Sequence, residues 1–125
     1  MQRNHKTSRP VDAGLFHLRL PVGAVVSVLH RISGVALALL FPGALWILDR
    51  SLSGPAAFDQ VRAELNRPMS RVGVAVCVWL LAHHFYAGVR HLLLDLDVGS
   101  ARRPARWSAY AVLVLGAITT AWVAL

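Results

Sequence analysis

The chain has 125 residues, of which 56% are hydrophobic and 15% charged, and its formal net charge is +7. Soluble domains normally carry about 25% charged residues, so this composition argues against a soluble enzyme. The 13 Lys and Arg residues flank apolar segments and do not line one soluble face, which favours contact with lipid headgroups over binding of nucleic acid.

The apolar residues fall into three segments, each near the roughly 20 residues that an α-helix needs to cross the hydrocarbon layer. We therefore predict an all-α integral membrane protein with three transmembrane helices. These helices are expected at residues 21–49, 70–95 and 107–125. The remaining segments, at residues 1–20, 50–69 and 96–106, are too short for a separate hydrophobic core. Any chemistry must therefore lie in or against the membrane.

The orientation follows from the Lys and Arg residues, because acidic residues contribute little to the positive-inside rule. Nine of the 13 lie in residues 1–31 and 90–106, which three helices place on one side of the membrane. The other four lie in residues 50–71. The N-terminal segment is therefore predicted to be cytoplasmic and the C-terminus periplasmic, in the inner membrane of a bacterial cell.

The first apolar segment carries Ser27, Arg31 and Gly34 at helical spacing, with His30 one step aside. A hydroxyl and a guanidinium at a membrane boundary suit the polar head of a lipophilic molecule such as a quinone. Ser27 would donate to a carbonyl, and Arg31 would stabilise the negative charge that develops on reduction. The spacing itself favours the alternative, in which Ser27 bonds to its own helix and Gly34 packs against another helix.

The segment between the first two predicted transmembrane helices begins with a Ser-Gly-Pro breaker and continues as FDQVRAEL. Its apolar residues Phe58, Val61 and Leu65 recur at helical spacing. We expect a short helix at the membrane interface there.

The second apolar segment places His84, Gly88, His91 and Asp95 on one helical stripe, at spacings of four, three and four residues. His84 lies roughly 9 Å deeper than Arg90, at about 1.5 Å per residue. A neutral imidazole at that depth, with a glycine one turn away, suits an axial ligand of a flat macrocycle such as haem. Two alternatives stay open: a histidine that only hydrogen-bonds to a neighbouring helix, and boundary residues Arg31 and Arg90 that extend to lipid headgroups.

A six-coordinate haem on His84 would need a second ligand at the same depth. The third apolar segment has no histidine, His30 lies at the boundary, and His83 points about 100° away around the helix. The second ligand must therefore come from another polypeptide, which makes this chain half of a cofactor site.

Three stretches of the sequence resemble the cytochrome b membrane-anchor subunit of succinate dehydrogenase, respiratory complex II. They are RNHKTSRPV at residues 3–11, SVLHRISGV at 27–35 and HFYAGVRHLLLD at 84–95. The similarity covers essentially the whole chain, and the paired pattern Ser-x-x-His-Arg-x-x-Gly and His-x-x-x-Gly-x-Arg-His-x-x-x-Asp is fairly specific. Residues 12–20 lack the Ser-Pro-His-Leu segment of many members, so His17 receives no role.

The resemblance implies a role for each site residue. His84 would be an axial ligand of haem b, with the other ligand supplied by a second membrane-anchor subunit. His30, Arg31 and His91 would neighbour the haem propionates, and Ser27 and Arg31 would belong to a ubiquinone site. Gly88 and Asp95, which share the helical stripe of His84, are further candidates that would support the haem site. His83 doubles the ligand position, but the spacing to Gly88 selects His84.

The resemblance also implies partners. Electrons from succinate would arrive through a flavoprotein subunit and an iron–sulfur subunit that docks on the cytoplasmic face. The chain itself has one cysteine and no glycine-rich nucleotide motif, too little to carry either type of centre. It would therefore take part in quinone reduction without catalysing succinate oxidation. A fumarate reductase anchor, a menaquinone-linked relative and a small structural membrane protein without haem remain alternatives.

Overall fold

A computed structural model describes residues 20–124, which form four helices and no strand. These helices are α1 (Val22–Leu52), α2 (Pro55–Leu65), α3 (Pro68–Asp95) and α4 (Arg102–Ala124). Within the described part of the chain, α1, α3 and residues 102–123 of α4 are long and apolar enough to cross a membrane. The predicted all-α fold with three transmembrane helices is confirmed.

The helix ends follow the local sequence. Pro55 and Pro68 occupy the first turns of α2 and α3, where the missing backbone N–H of proline costs nothing. Gly54, between α1 and α2, has φ of 143°, a conformation that side chains disfavour. The turn between α3 and α4 uses positive φ at Asp97 and Gly99. These turns make α1, α3 and α4 alternate in direction.

The helices extend beyond the apolar segments at some ends. α1 continues through Pro42 to Leu52, and α4 begins at Arg102, inside the segment expected to be a loop. The short helix expected around Phe58 is present as α2, whose Val61 is buried. A salt bridge of 3.3 Å joins Arg50 of α1 to Glu64 of α2, a surface pair of the kind that contributes about 0–1 kcal/mol.

The core of the described chain is small and lies where α1, α3 and α4 meet. Its buried members are Val26, Ala87, Ala109 and Val112. Alanines at these positions let the helix backbones approach closely, as in other membrane helix pairs. Most larger apolar side chains remain exposed, and they are the surfaces that lipid or partner subunits would cover.

Candidate functional site

Three imidazoles lie face to face between α1 and α3, and we call His84, His30 and His91 the histidine stack. The ring centroids of His30 and His84 are 4.2 Å apart with an interplanar angle of 12°. Those of His30 and His91 are 5.1 Å apart with an angle of 21°. The antiparallel arrangement of the two helices thus brings His30 and His91, which the sequence placed near one membrane boundary, together with His84, which the sequence placed deeper in the membrane.

The hydrogen bonds of His84 determine which of its ring nitrogens carries the proton. Its Nδ1 lies 3.1 Å from the backbone carbonyl oxygen of His30. A carbonyl oxygen can only accept, so Nδ1 must be the donor. In a neutral ring the lone pair is then on Nε2, which is the arrangement found in metal-bound histidines.

Ser33 of α1 completes the surroundings of that nitrogen. Its Oγ lies 3.3 Å from Nδ1 of His84 and donates to the same His30 carbonyl oxygen at 2.9 Å. The side chain of Ser33 is fully buried. The sequence motif contained Ser33, but the spacing assigned it no role, because spacing does not show which side chain of α3 would face it.

Two glycines allow the histidine stack to form. A Cβ atom at Gly34 would lie 2.9 Å from Cε1 of His84, a distance that real Cβ atoms do not tolerate. A Cβ atom at Gly88 would lie 3.4 Å from Nε2 of His30. Gly88, which the sequence associated with the approach of a macrocycle, therefore makes room for the His30 ring in this structure.

His91 and Asp95 complete the predicted stripe of α3, with different environments. His91 Nδ1 donates to the carbonyl oxygen of Ala87 one turn earlier, at 2.6 Å. Asp95 is exposed and makes no hydrogen bond or ion pair within residues 20–124. The structure thus groups His91 with His84 and leaves Asp95 at the end of the helix.

The two residues predicted for a quinone site lie one turn apart on α1. Ser27 is half-buried and Arg31 is exposed. Two cavities of about 440 and 190 Å³ lie toward the other end of the bundle, near the α2–α3 connection, and neither is lined by Ser27 or Arg31. These two cavities are therefore not the place where Ser27 and Arg31 would meet a quinone.

One alternative from the sequence was that Arg90 extends to lipid headgroups. In the structure the side chain of Arg90 turns inward instead. Only 8% of its surface is exposed. Its Nε donates to Ser108 Oγ and its Nη2 to the carbonyl oxygen of Ala105, both at 3.0 Å. A Cβ atom at Gly23 of α1 would lie 3.4 Å from Nη2. Arg90 therefore links α3 to the first turns of α4, close against α1.

His83 lies on the same side of α3 as Arg90 and is fully buried. Its ring stacks on Trp79 with a centroid distance of 5.2 Å, and its backbone lies 3.8 Å from the position of a Cβ at Gly116 of α4. Neither ring nitrogen has a hydrogen-bond partner within the described chain. The structure thus gives two sequence neighbours different environments: the half-buried His84 makes polar contacts with α1, whereas His83 is fully buried between α3, α4 and the backbone of Val26 of α1.

The donor set fits one half of a haem site. Within residues 20–124 no group of three or more His, Cys, Asp and Glu side chains could hold a metal ion. A haem iron needs only one ligand from each side, and His84 has the correct tautomer for one of them. The half-buried position of its ring leaves access from outside this chain.

Comparison with known proteins identifies the family that this chain matches. Residues 5–123 match the family described as succinate dehydrogenase/fumarate reductase transmembrane subunit. A succinate dehydrogenase cytochrome b556 subunit of Coxiella burnetii is 32% identical over 114 residues, which cover 88% of this chain and 89% of that protein. The same-named subunit of Paracoccus denitrificans is 29% identical, covering 94% and 89%. A cytochrome b560 subunit of Reclinomonas americana is 30% identical, covering 96% and 88%.

Proposed function

We propose that this chain, a member of the succinate dehydrogenase/fumarate reductase transmembrane subunit family, binds haem b jointly with a second membrane-anchor subunit. In the same assignment it helps to form a ubiquinone-reduction site. The observation that carries the proposal is the distance of 3.1 Å between Nδ1 of His84 and the His30 carbonyl oxygen. With that carbonyl as acceptor for Nδ1–H, the lone pair of Nε2 is available to iron. The name cytochrome b of the relatives supports the same cofactor.

His84 would hold the haem from this side, and a histidine of the sister anchor subunit would hold it from the other. When bound, haem supplies a one-electron carrier within the membrane. His30 and His91 lie on the boundary side of His84 in the histidine stack. Together with Arg31, they would neighbour the propionates, since imidazole N–H and guanidinium groups donate hydrogen bonds to carboxylates.

Ser27 and Arg31 would contact the quinone. The Ser27 hydroxyl would donate to one quinone carbonyl, and the Arg31 guanidinium would stabilise the charge that develops on that oxygen. Their half-buried and exposed positions suit a site whose remaining wall is a partner subunit. In this assignment an iron–sulfur subunit docks beside them and delivers electrons that originate at a flavoprotein subunit.

The decisive experiment compares two adjacent histidines. His84→Leu should remove or strongly alter the b-type absorption of the assembled complex in membranes, because Nε2 is lost. His83→Leu, the matched control, should keep a bis-imidazole spectrum, since His83 is fully buried and stacks on Trp79. Loss of haem in His83→Leu with retention in His84→Leu would contradict the proposal. Expression without the sister anchor subunit should yield little six-coordinate haem.

The orientation is tested separately. A reporter fused after Leu125 should be active only in the periplasm, and one inserted near Gly99 only in the cytoplasm, because most basic residues flank the cytoplasmic ends of the helices. The opposite pattern would move Ser27, Arg31 and the histidine stack to the periplasmic side of the bacterial inner membrane. An iron–sulfur subunit on the cytoplasmic face would then be out of reach.

A further inference from the structure

Three residues of α1 contact the ring of His84, and we call His30, Ser33 and Gly34 the contact segment. They lie within little more than one helical turn. The His30 carbonyl accepts from Nδ1 at 3.1 Å, the Ser33 hydroxyl oxygen lies 3.3 Å from the same nitrogen, and Gly34 lies beside Cε1. One edge of the imidazole is therefore enclosed by α1 alone.

The hydrogen bond of Ser33 to its own helix is common for serine in helices. The position of Ser33 is not ordinary, because the His30 carbonyl that accepts from its hydroxyl also accepts from His84. The side chain of Ser33 is 0% exposed, so neither solvent nor lipid can supply a substitute hydrogen bond at this position. The hydroxyl, the carbonyl and Nδ1 thus form a closed triangle of polar atoms.

Gly34 restricts the ring from a second direction. A Cβ atom there would lie 2.9 Å from Cε1 and 3.4 Å from Nδ1 of His84. The ring thus occupies the space that any side chain at residue 34 would need. Ser33 and Gly34 together restrict the rotation of the imidazole, and the His30 carbonyl determines which nitrogen carries its proton.

We propose that Ser33 is a positioning residue for His84: with Gly34 it fixes the orientation of the imidazole, and as a second acceptor near Nδ1–H it increases the strength with which Nε2 donates to a haem iron. This inference rests on the proposed role of His84. The physical basis is that acceptors on Nδ1–H increase the basicity of a metal-bound imidazole. Greater basicity favours the oxidised iron and lowers its reduction potential.

The test uses the complete complex in native membranes and a graded series at residue 33. Ser33→Ala removes one of the two acceptors near Nδ1, so the midpoint potential of the haem should rise. The low-spin electron paramagnetic resonance signal should also shift or broaden, because the ring is less restrained. Ser33→Cys keeps a similar volume with a weaker acceptor and should shift the potential in the same direction by less. If the complex with Ser33→Ala does not assemble, the midpoint potential measured for Ser33→Cys decides the test.

The matched control is Ser108→Ala. Ser108 also donates to a helix carbonyl and contacts a buried side chain of α3, but that side chain is Arg90. Its replacement should leave the haem potential and the resonance signal unchanged. An unchanged or lowered midpoint potential in the Ser33 variants, or an equal shift in Ser108→Ala, would overturn the proposal.

Gly34→Ala gives an independent measurement. The added Cβ should displace the His84 ring, and haem content should fall or the resonance signal should change. Gly116→Ala is the matched control, because its Cβ would meet nothing closer than 3.8 Å. A wild-type signal in Gly34→Ala would overturn the role of Gly34. Absence of b-type haem from the wild-type complex, or its survival in His84→Leu, would refute the proposed function itself.

Discussion

Two sides of α3 carry similar residue types and have different environments. The side that faces α1 holds His84, Gly88 and His91, half-buried and partnered through polar contacts with α1 or with α3 itself. The side that faces α4 holds His83, Ala87 and Arg90, which are buried. Each side has a small residue at its centre, Gly88 or Ala87. A histidine lies one turn before it, and a histidine or an arginine lies one turn after it. What differs is burial: the residues on the α1 side are half-buried, and those on the α4 side are buried.

This difference indicates a division of roles within one helix. Arg90 joins two helices through hydrogen bonds to Ser108 and Ala105, and Tyr86 adds a hydrogen bond of 3.0 Å to Thr119. These contacts stabilise the packing of α4, which carries none of the proposed ligands. Changes on the α1 side should therefore alter cofactor and quinone chemistry, and changes on the α4 side should alter stability.

The largest effect expected here concerns the quinone. Ser27→Ala and Arg31→Leu each remove a hydrogen bond to an oxygen that gains charge, a loss that costs about 2–4 kcal/mol of transition-state stabilisation in a water-excluding site. Succinate:quinone turnover should fall by roughly ten- to several-hundred-fold, at about 1.4 kcal/mol per tenfold. Arg31→Leu should also shift the haem potential more than Ser27→Ala.

The control for that measurement is reduction of a soluble dye at the flavoprotein, which does not pass through this chain and should persist. If both variants assemble and turn over quinone at the normal rate, Ser27 and Arg31 do not belong to the site. The anchoring and haem roles would then stand by themselves.

A smaller effect, on stability alone, is expected from Arg90→Leu. Hydrogen bonds of charged groups contribute about 1.5–3 kcal/mol each, and Arg90 makes two across to α4. The complex should dissociate at a lower temperature in a thermal scan, while the haem spectrum of the intact fraction remains that of the wild type. A spectral change without loss of thermal stability would show that the two sides of α3 are not separate.

The smallest effect is expected from His83→Phe. Phenylalanine keeps an aromatic ring next to Trp79 and removes two buried nitrogens that lack partners in the described chain. Replacing an unsatisfied buried polar group by an apolar one of similar shape is close to neutral or stabilising. The thermal midpoint of the complex should stay the same or rise slightly, with unchanged haem absorption. A clear loss of stability would indicate that a water or another partner satisfies His83.

The sequence by itself determined the fold class and the main candidates of the site. Three apolar segments of about 20 residues can only cross a membrane as helices, because unpaired backbone groups are too costly in hydrocarbon. The spacing of His84, Gly88 and His91 placed them on one stripe, since the period of the helix depends only on backbone geometry. Residue counting did not fix the relative depth of His30 and His84, because in the structure the His30 carbonyl accepts from His84 Nδ1 and the two rings stack.

Only the tertiary structure decided which neighbour each stripe meets. Helical spacing shows that Arg90 and His91 point in different directions, but not that Arg90 turns inward to Ala105 of α4. It also gave Ser33 no partner, because the contact with His84 joins residues 51 positions apart. Contacts of this kind depend on how α1, α3 and α4 pack, and packing is set by the fit of many side chains together.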